Sequence, residues 1–497
     1  MTKSHNYLAL DLGAESGRAI IASLGGDQLA SDEVYRFSNG PVRLNDGIHW
    51  DVLRLWNEIK SGIAAGVKRG VKLESVGLDT WGVDFALLDK SGALLSNPFH
   101  YRDARTDGML DQAFRRMPRA EIFANTGIQF MQINTLFQLL AMALQKSPLF
   151  DVAETFVTIP DLFNYWLSGE ISNEFTNSTT TQCFDPHKRD WAFPILDAMD
   201  IPTHLFGPVT VSGSRIGNLL PNIVEETGAR GTQVIIPACH DTGSAVAAIP
   251  AQNQDFAWIS SGTWSIMGVE VREPCVNEKA LRYNFTNEGG VFGTWRLSKN
   301  IMGLWLVQEC KRTWARQGED LTYDEITRLA AAARPFLAVI DPDHSNFFHP
   351  GDMPSRIRKY CADTSQPVPE TKGEIIRVAL ESIALKYRWV LERLEELEAK
   401  QFSPLHIIGG GTKNRLLNQF TADATNRVVV TGPVEATALG NVLMQAIGLN
   451  HIDSLADARG LVRASFEVEE YYPAQRDGWD KAYGNLLKLI QTGNSDA

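Results

Sequence analysis

From Tyr7 to Leu12 the chain is apolar at every position except Asp11, the pattern of a strand covered on both faces. A turn with Gly13 and Gly17 follows, then "RAIIASL" and, after "GGD", a third extended run ending in "EVYRF". This order predicts a meander of three strands. The run "WDVLRLWNEIKSGIAAGVKRG" has helical periodicity. "VKLESVGLDTWGVDFALLD" reads as a strand that folds back on itself around Gly82. Helices are predicted over 108–147 and in "PDLFNYWLSGE", the latter closed by Gly169. "NEFTNSTTTQCFDPHKRDW" is rich in hydroxyls and reads as loop and turn, for which a polar surface loop is the bland meaning.

The opening pattern then recurs. "DFAWISSGTWSIMGVEV" is again strand, Gly/Ser/Thr turn and strand, about half a chain later. "GGVFGTWRLSKNIMGLWLVQECKRTW" runs from strand into helix, and "GEIIRVALESIALKYRWVLERLEEL" is one long helix. "LHIIGGGTKNRLLNQFTADATNRVVV" alternates strand, glycine loop, helix and strand, and "VEATALGNVLMQAIG" is a further helix. A doubled hairpin with α/β elements around each copy predicts an α/β protein of two similar lobes, divided as residues 1–245 and 246–497.

Composition narrows the partners. The 497 residues carry a net charge of −12 and no basic block, which argues against nucleic acid or an anionic membrane as partner. The five cysteines are scattered without a CxxC pair, and no apolar run reaches the ~18 residues of a membrane span. With no leader pattern, the expectation is a cytoplasmic protein with reduced thiols.

The glycine turn invites comparison with phosphate-binding loops. A dinucleotide or P-loop needs a helix directly after its glycines; here a strand follows, and neither GxGxxG nor GxxxxGK[ST] is present. Gly13 and Gly17 open the backbone to an anion, with Ser16 and Arg18 as further donors. Asp11, at the strand end, is the candidate holder of a divalent cation. A plain turn with a surface arginine accounts for the same residues. In "CHDTGSA", Asp241 fits a proton acceptor for an attacking hydroxyl or the N-cap of the following helix. In "GLDTWGVDF" and "HYRDART", Trp81 with Arg102 and Asp103 fits a polyhydroxyl ligand, or a core residue beside a surface salt-bridge network. "IIGGGTKN" lets a flat ligand such as an adenosine lie on the backbone, or merely connects strand to helix.

"ALDLGAESGR", "HDTGSAV", "SSGTWS" and "HIIGGGTKN" resemble the phosphate and adenosine motifs of the FGGY carbohydrate kinases, of the actin, Hsp70 and hexokinase superfamily. Within it, "DTWGVDFALLD", "YRDART", "EFTNSTTTQ", "KNIMGLWLVQEC", "GGGTKNRLLNQ" and "GPVEATALGN" are similar to the rhamnulokinase group. The resemblance implies two RNase-H-like lobes with a catalytic cleft between them, the N-terminal one holding sugar and phosphates and the C-terminal one the nucleotide. It implies that Ala14, Glu15, Ser16, Gly17 and Arg18 contact ATP phosphates, and that Thr263, Gln308 and Gly410 contact ATP. Gly82, His240, Asp241, Thr242 and Asn300 would contact the sugar, with Asp241 the proton acceptor. The cofactors implied are ATP and Mg²⁺. The expected reaction is phosphorylation of the O1 hydroxyl of a ketose, L-rhamnulose ahead of L-fuculose. A sensor of the same fold would have no use for Asp241, and an ATPase chaperone none for the Trp81 and Arg102 cluster. Thr421 and Thr425 stand where relatives can carry a cysteine pair, so no disulfide is expected there, and Glu15 adds a negative charge where relatives commonly have a smaller residue.

Overall fold

The computed structural model describes residues 4–493. The chain forms two compact units, Met1–Gln252 with Glu270–Leu297 and Glu435–Phe466, and Asn253–Val269 with Ser298–Val434 and Glu467–Ala497. The last helix of the first unit is thus contributed from late in the chain.

In the first unit, His5–Leu12, Ser16–Gly25 and Gln28–Ser38 form the antiparallel meander that the order of apolar runs and turns predicts. Leu73–Thr80 lies parallel to His5–Leu12 on its other side, followed by Gln233–Ile235 and, antiparallel at the edge, Arg215–Asn218. Helix Val52–Val67 turns Leu55, Ile59 and Ile63 onto the sheet, the one-face burial that organises such a layer. Helix Ala436–Gly448 packs on His5–Leu12 and Leu73–Thr80. It is buried over most of its length, and so it meets the strands through polar as well as apolar side chains. Gln445 donates to Leu8 O at 3.0 Å and accepts from Ser75 Oγ at 2.7 Å. Gly77 has to be glycine, because a Cβ there would sit 2.6 Å from Asn441 Oδ1.

The second unit repeats the device. Ala257–Ser261 and Trp264–Val271 form an antiparallel hairpin, with Trp295–Met302 next to the second strand. Leu405–Ile408 runs parallel to Ala257–Ser261, Val429–Thr431 parallel to Leu405–Ile408, and Glu469–Tyr471 antiparallel at the edge. Both sheets therefore place a parallel strand beside the first strand of an antiparallel hairpin, the RNase-H-like arrangement expected of each lobe. Helix Lys372–Glu398 has 27 residues and starts with a Thr371/Glu374 capping box.

Two readings of the sequence fail here. The stretch around Gly82 is no hairpin: Leu73–Thr80 ends, and Phe85–Leu88 pairs instead with Thr155–Thr158. The chain reverses at Val83, whose φ of 68° is costly for a β-branched residue. Neighbours hold it there: Val83 N donates to Thr180 Oγ1, and Val83 O accepts from Thr135 Oγ1 and Gln138 Nε2. Nor is the hydroxyl-rich stretch a surface loop. Phe175–Ser178 is one helical turn, Thr179–Thr181 a 3₁₀ turn, and both are wholly buried. The hydroxyls of Thr179, Thr180 and Thr181 each bond to a carbonyl three residues back, while Ser178 Oγ is buried without a partner, so local polarity is no guide to exposure.

All five cysteines are free, and Thr421 and Thr425 are buried with hydroxyls bonded to their own helix. Gly440 offers a test of the packing. A Cβ there would lie 1.7 Å from Ser244 O. We expect Gly440→Ala to destabilise the protein by about 1–3 kcal/mol or more, read as a lower melting temperature; an unchanged melting temperature would show that the two helices separate freely.

Candidate active site

The register of the first sheet lines up its ionisable residues. Asp11 pairs with Arg18 across the antiparallel ladder and with Asp79 across the parallel one, so Asp79, Asp11 and Arg18 occupy one row on three adjacent strands. Arg18 donates from Nε and Nη2 to Asp11 Oδ2 at 3.0 and 2.8 Å, and its Nη1 pairs with Glu435. Burial pushes the Asp11 carboxyl up, Arg18 pulls it back, and Asp241 and Glu435 push it up again. Asp79 is fully buried; burial and the charge of Asp11 hold it well above the usual carboxylate range, against a 2.6 Å hydrogen bond from Asn441.

The glycine turn sits at the end of this row. Gly13 N donates to Ser16 O, while Asn39 holds the loop through Gly13 O at 2.8 Å and Glu15 O at 2.9 Å. Ala14 and Ser16 are half-buried and Glu15 is exposed. Gly17 answers a packing need, since a Cβ there would lie 2.1 Å from the Phe37 ring.

Asp241 reaches the same neighbourhood from the strand Gln233–Ile235. Thr80 N donates to Cys239 O at 2.9 Å, and His240 bridges to Thr80. The N-cap position is His240, and Asp241 is the first residue of helix Asp241–Ala247, so the N-cap alternative for Asp241 is not the one adopted. Its Oδ1 accepts from Thr242 N and Oγ1 at 2.5 and 3.0 Å. Beneath the turn lies the buried hydroxyl-rich stretch. Glu174 Oε2 accepts from Cys239 N, Asn177 N and Thr176 Oγ1, and Thr176 Oγ1 accepts from His240 N. Asp161, in turn, accepts from Thr158, Ser172 and Glu174 N, and burial pushes it up to about 7.

Trp81 and Asp84 form the floor on the Gly82 side. Trp81 lies against Trp50 with ring centroids 3.9 Å apart and planes tilted by 31°, and both indoles donate to Asp84 Oδ2. Burial pushes Asp84 up to about 6 despite those bonds. Gly82 is pressed against Thr180, 3.0 Å from a Cβ to Oγ1. Asp103 is spent on backbone, accepting from Ile48 N and Arg105 N, and Arg102 lies over the Tyr101 ring.

In the second unit, Trp305 N donates to Thr263 O at 3.0 Å, tying the Gly262–Thr263 turn to helix Trp305–Arg316, which carries Gln308. Asn300 stands on Trp295–Met302. Gly409 has φ 83°, and Gly411 has no room for a Cβ against Ser261, whereas Gly410 faces open space. A ligand can approach the backbone at Gly410.

Residues 6–248 match the model of the FGGY carbohydrate kinase N-terminal domain, and 257–449 that of the C-terminal domain. The chain belongs to the FGGY family of carbohydrate kinases. It is 42% identical to a rhamnulokinase of Bacteroides thetaiotaomicron over 486 residues, 98% of this chain and 99% of the relative. A rhamnulokinase of Oceanobacillus iheyensis is 39% identical over 471 residues, 95% of this chain and 99% of that one. Among solved structures, gluconate kinase from Lactobacillus acidophilus superimposes with a TM-score of 0.79 at 16% identity, covering 99% of this chain and 97% of that one. Xylulose kinase from Rhodospirillum rubrum gives 0.79 at 16%, covering 99% of both; these two likenesses bear on the fold alone. FGGY kinases use ATP as phosphate donor.

The residues of this FGGY kinase fit a magnesium ion held mainly by phosphates and water. Among the described residues no group of three or more acidic, histidine or cysteine side chains forms a ready cage. Mg²⁺ usually keeps several waters and takes one or two carboxylates, and Asp79 Oδ1, buried without a partner, adds an acceptor beside Asp11. Sequence reasoning missed Glu435, Asn441, Glu174 and the pair Glu288 and Arg296. The signal for the last was an arginine between Trp295 and Leu297 in the strand "TWRLSKN".

Asp161 supplies a prediction. Its folded pKa of about 7 lies above its ordinary value, so folding takes up a proton, and the stability it contributes is lost as pH rises through about 7. We expect the melting temperature of the wild type, relative to Asp161→Asn, to fall as pH rises from ~5 to ~8; a difference flat with pH would contradict this.

Proposed function

We propose that this FGGY kinase transfers the γ-phosphoryl group of ATP to the O1 hydroxyl of L-rhamnulose, giving L-rhamnulose 1-phosphate and ADP. Likeness over nearly the whole chain to proteins named rhamnulokinase carries this reading, and the placing of Asp241 beside the Asp11–Arg18 row agrees with it. In phosphoryl transfer the protein chiefly positions the reactants and stabilises charge.

In this proposal Asp241 accepts the proton of the O1 hydroxyl as that oxygen bonds to phosphorus and the bond to the ADP oxygen breaks. Oδ1 of Asp241 is engaged by Thr242, which leaves Oδ2 for the proton. Gly82, His240, Thr242 and Asn300 contact the ketose, and Trp81 backs it from the buried Trp50–Trp81 pair. Arg18 and the Ala14–Gly17 turn hold phosphates, while Thr263, Gln308 and Gly410 hold the rest of ATP. Asp11 holds Mg²⁺, which when bound supplies charge neutralisation to the phosphates. No helix among the described residues is long and apolar enough to cross a membrane.

The test is ADP release coupled to a reporter across a panel of ketoses. We expect L-rhamnulose to give the highest kcat/KM, with the phosphate on O1. Preference for L-fuculose or another ketose would replace the substrate and leave the kinase; binding of sugar and ATP without turnover would indicate a sensor. For the phosphate clamp, loss of a charge-assisted contact costs about 1.5–3 kcal/mol, so Arg18→Ala should raise the KM for ATP by roughly ten-fold or more and that for ketose much less. The reverse pattern would remove Arg18 from the clamp.

A further inference from the structure

His240 is held from behind by an ion pair that the reaction as drawn does not use. Arg296, wholly buried, donates from Nε to Gly289 O at 2.9 Å, and Gly289 N donates to Thr179 Oγ1 at 2.7 Å. The guanidinium is thereby fixed in orientation, with Nη2 3.0 Å from His240 Nδ1 and 3.2 Å from Glu288 Oε2. On the far side of the ring, His240 Nε2 lies 3.4 Å from Asp241 Oδ1.

A guanidinium has only donors and stays protonated in proteins. Nδ1 of His240 must therefore accept from Arg296, and its lone pair is committed. Glu288 Oε2 is 3.3 Å from the same nitrogen and competes, among the described residues, by accepting from a protonated Nδ1. Three observations decide against that. The Arg296 contact is the shorter, it meets the geometry of a hydrogen bond, and Glu288 already balances the guanidinium charge. A proton on Nδ1 would confront a buried guanidinium N–H at 3.0 Å and add a second positive charge beside the first.

Resting on the kinase reading above, we propose that Arg296 and Glu288 are positioning residues that lock His240 as the neutral imidazole with its proton on Nε2. The ring is then a one-way donor. Nε2–H points toward Asp241 and the place assigned to the sugar, where it donates to a ketose oxygen and cannot take a proton in competition with Asp241. A 3.4 Å separation from Asp241 is too long for a full hydrogen bond, which leaves the donor for the substrate.

The direct test needs no sugar: side-chain ¹⁵N NMR of the histidine-labelled protein near neutral pH, with the His240 signals assigned by their loss in His240→Gln. The expected result is one protonated nitrogen, Nε2, and one bare nitrogen, Nδ1. An Nδ1–H tautomer or a doubly protonated ring overturns the proposal whatever the substrate proves to be. A kinetic cycle gives the second reading. Arg296→Met should raise the ketose KM by about ten-fold, the loss expected for one hydrogen bond of ~1.5 kcal/mol, with the KM for ATP nearly unchanged. In His240→Gln, whose amide is a donor without tautomers, the same replacement should cost less than about two-fold. Additive losses would mean that Arg296 acts on folding or elsewhere, and would overturn the lock. If the wild type phosphorylates no ketose, the functional reading fails while the NMR result still stands on its own.

Discussion

One row of side chains across three strands governs this structure. Asp79, Asp11 and Arg18 are register partners, with Asp241 close enough to Asp11 and Asp79 to raise both. Three carboxylates cannot all ionise comfortably in such a place, because burial and mutual repulsion both disfavour the charged forms. One guanidinium, shared between Asp11 and Glu435, offsets only part of that charge. The remaining deficit of positive charge is what a divalent cation beside Asp11 would relieve, so the same feature that strains the isolated protein suits it to a cation brought in with the proposed nucleotide.

Holding the row in place takes a second buried polar system. Glu174 and Thr176 hold Cys239 N and His240 N, and Thr180 holds Val83 beyond Gly82. The two turns assigned to the sugar are thus bonded to one short segment within the first unit. Buried polar groups left unpaired cost about 1–3 kcal/mol each; Asn177 Oδ1 and Ser178 Oγ are buried without a partner, while the bonds to Cys239, His240 and Val83 set the spacing between the turns.

The strands and helices were legible where periodicity was strong, as in the meander 5–38 and the long helix Lys372–Glu398. The doubled hairpin also showed the repeated lobe. What escaped was whatever depends on distant partners. "NEFTNSTTTQ" has the composition of a surface loop, and only its carbonyl and carboxylate partners make burial tolerable. The reversal at Val83 defeats local reasoning because a β-branched residue at positive φ is paid for by Thr135, Gln138 and Thr180, far off in sequence. Gly17 was read for its openness to an anion, yet its immediate constraint is the Phe37 ring. Among the residues proposed for the site, Asp11, Arg18 and Asp241 were visible because their motifs are contiguous. Glu435, Glu288 and Arg296 meet them only through the fold.

The central claim is that this acidic row and its neighbours serve one proton transfer, at Asp241. Single-turnover phosphorylation by Asp241→Asn, compared with calorimetric binding of ketose and nucleotide to the same variant, tests it most directly. Loss of a general base predicts turnover lower by roughly 10²-fold or more, with both affinities within a few-fold of the wild type. Near-native turnover would contradict the account and move the base to another residue.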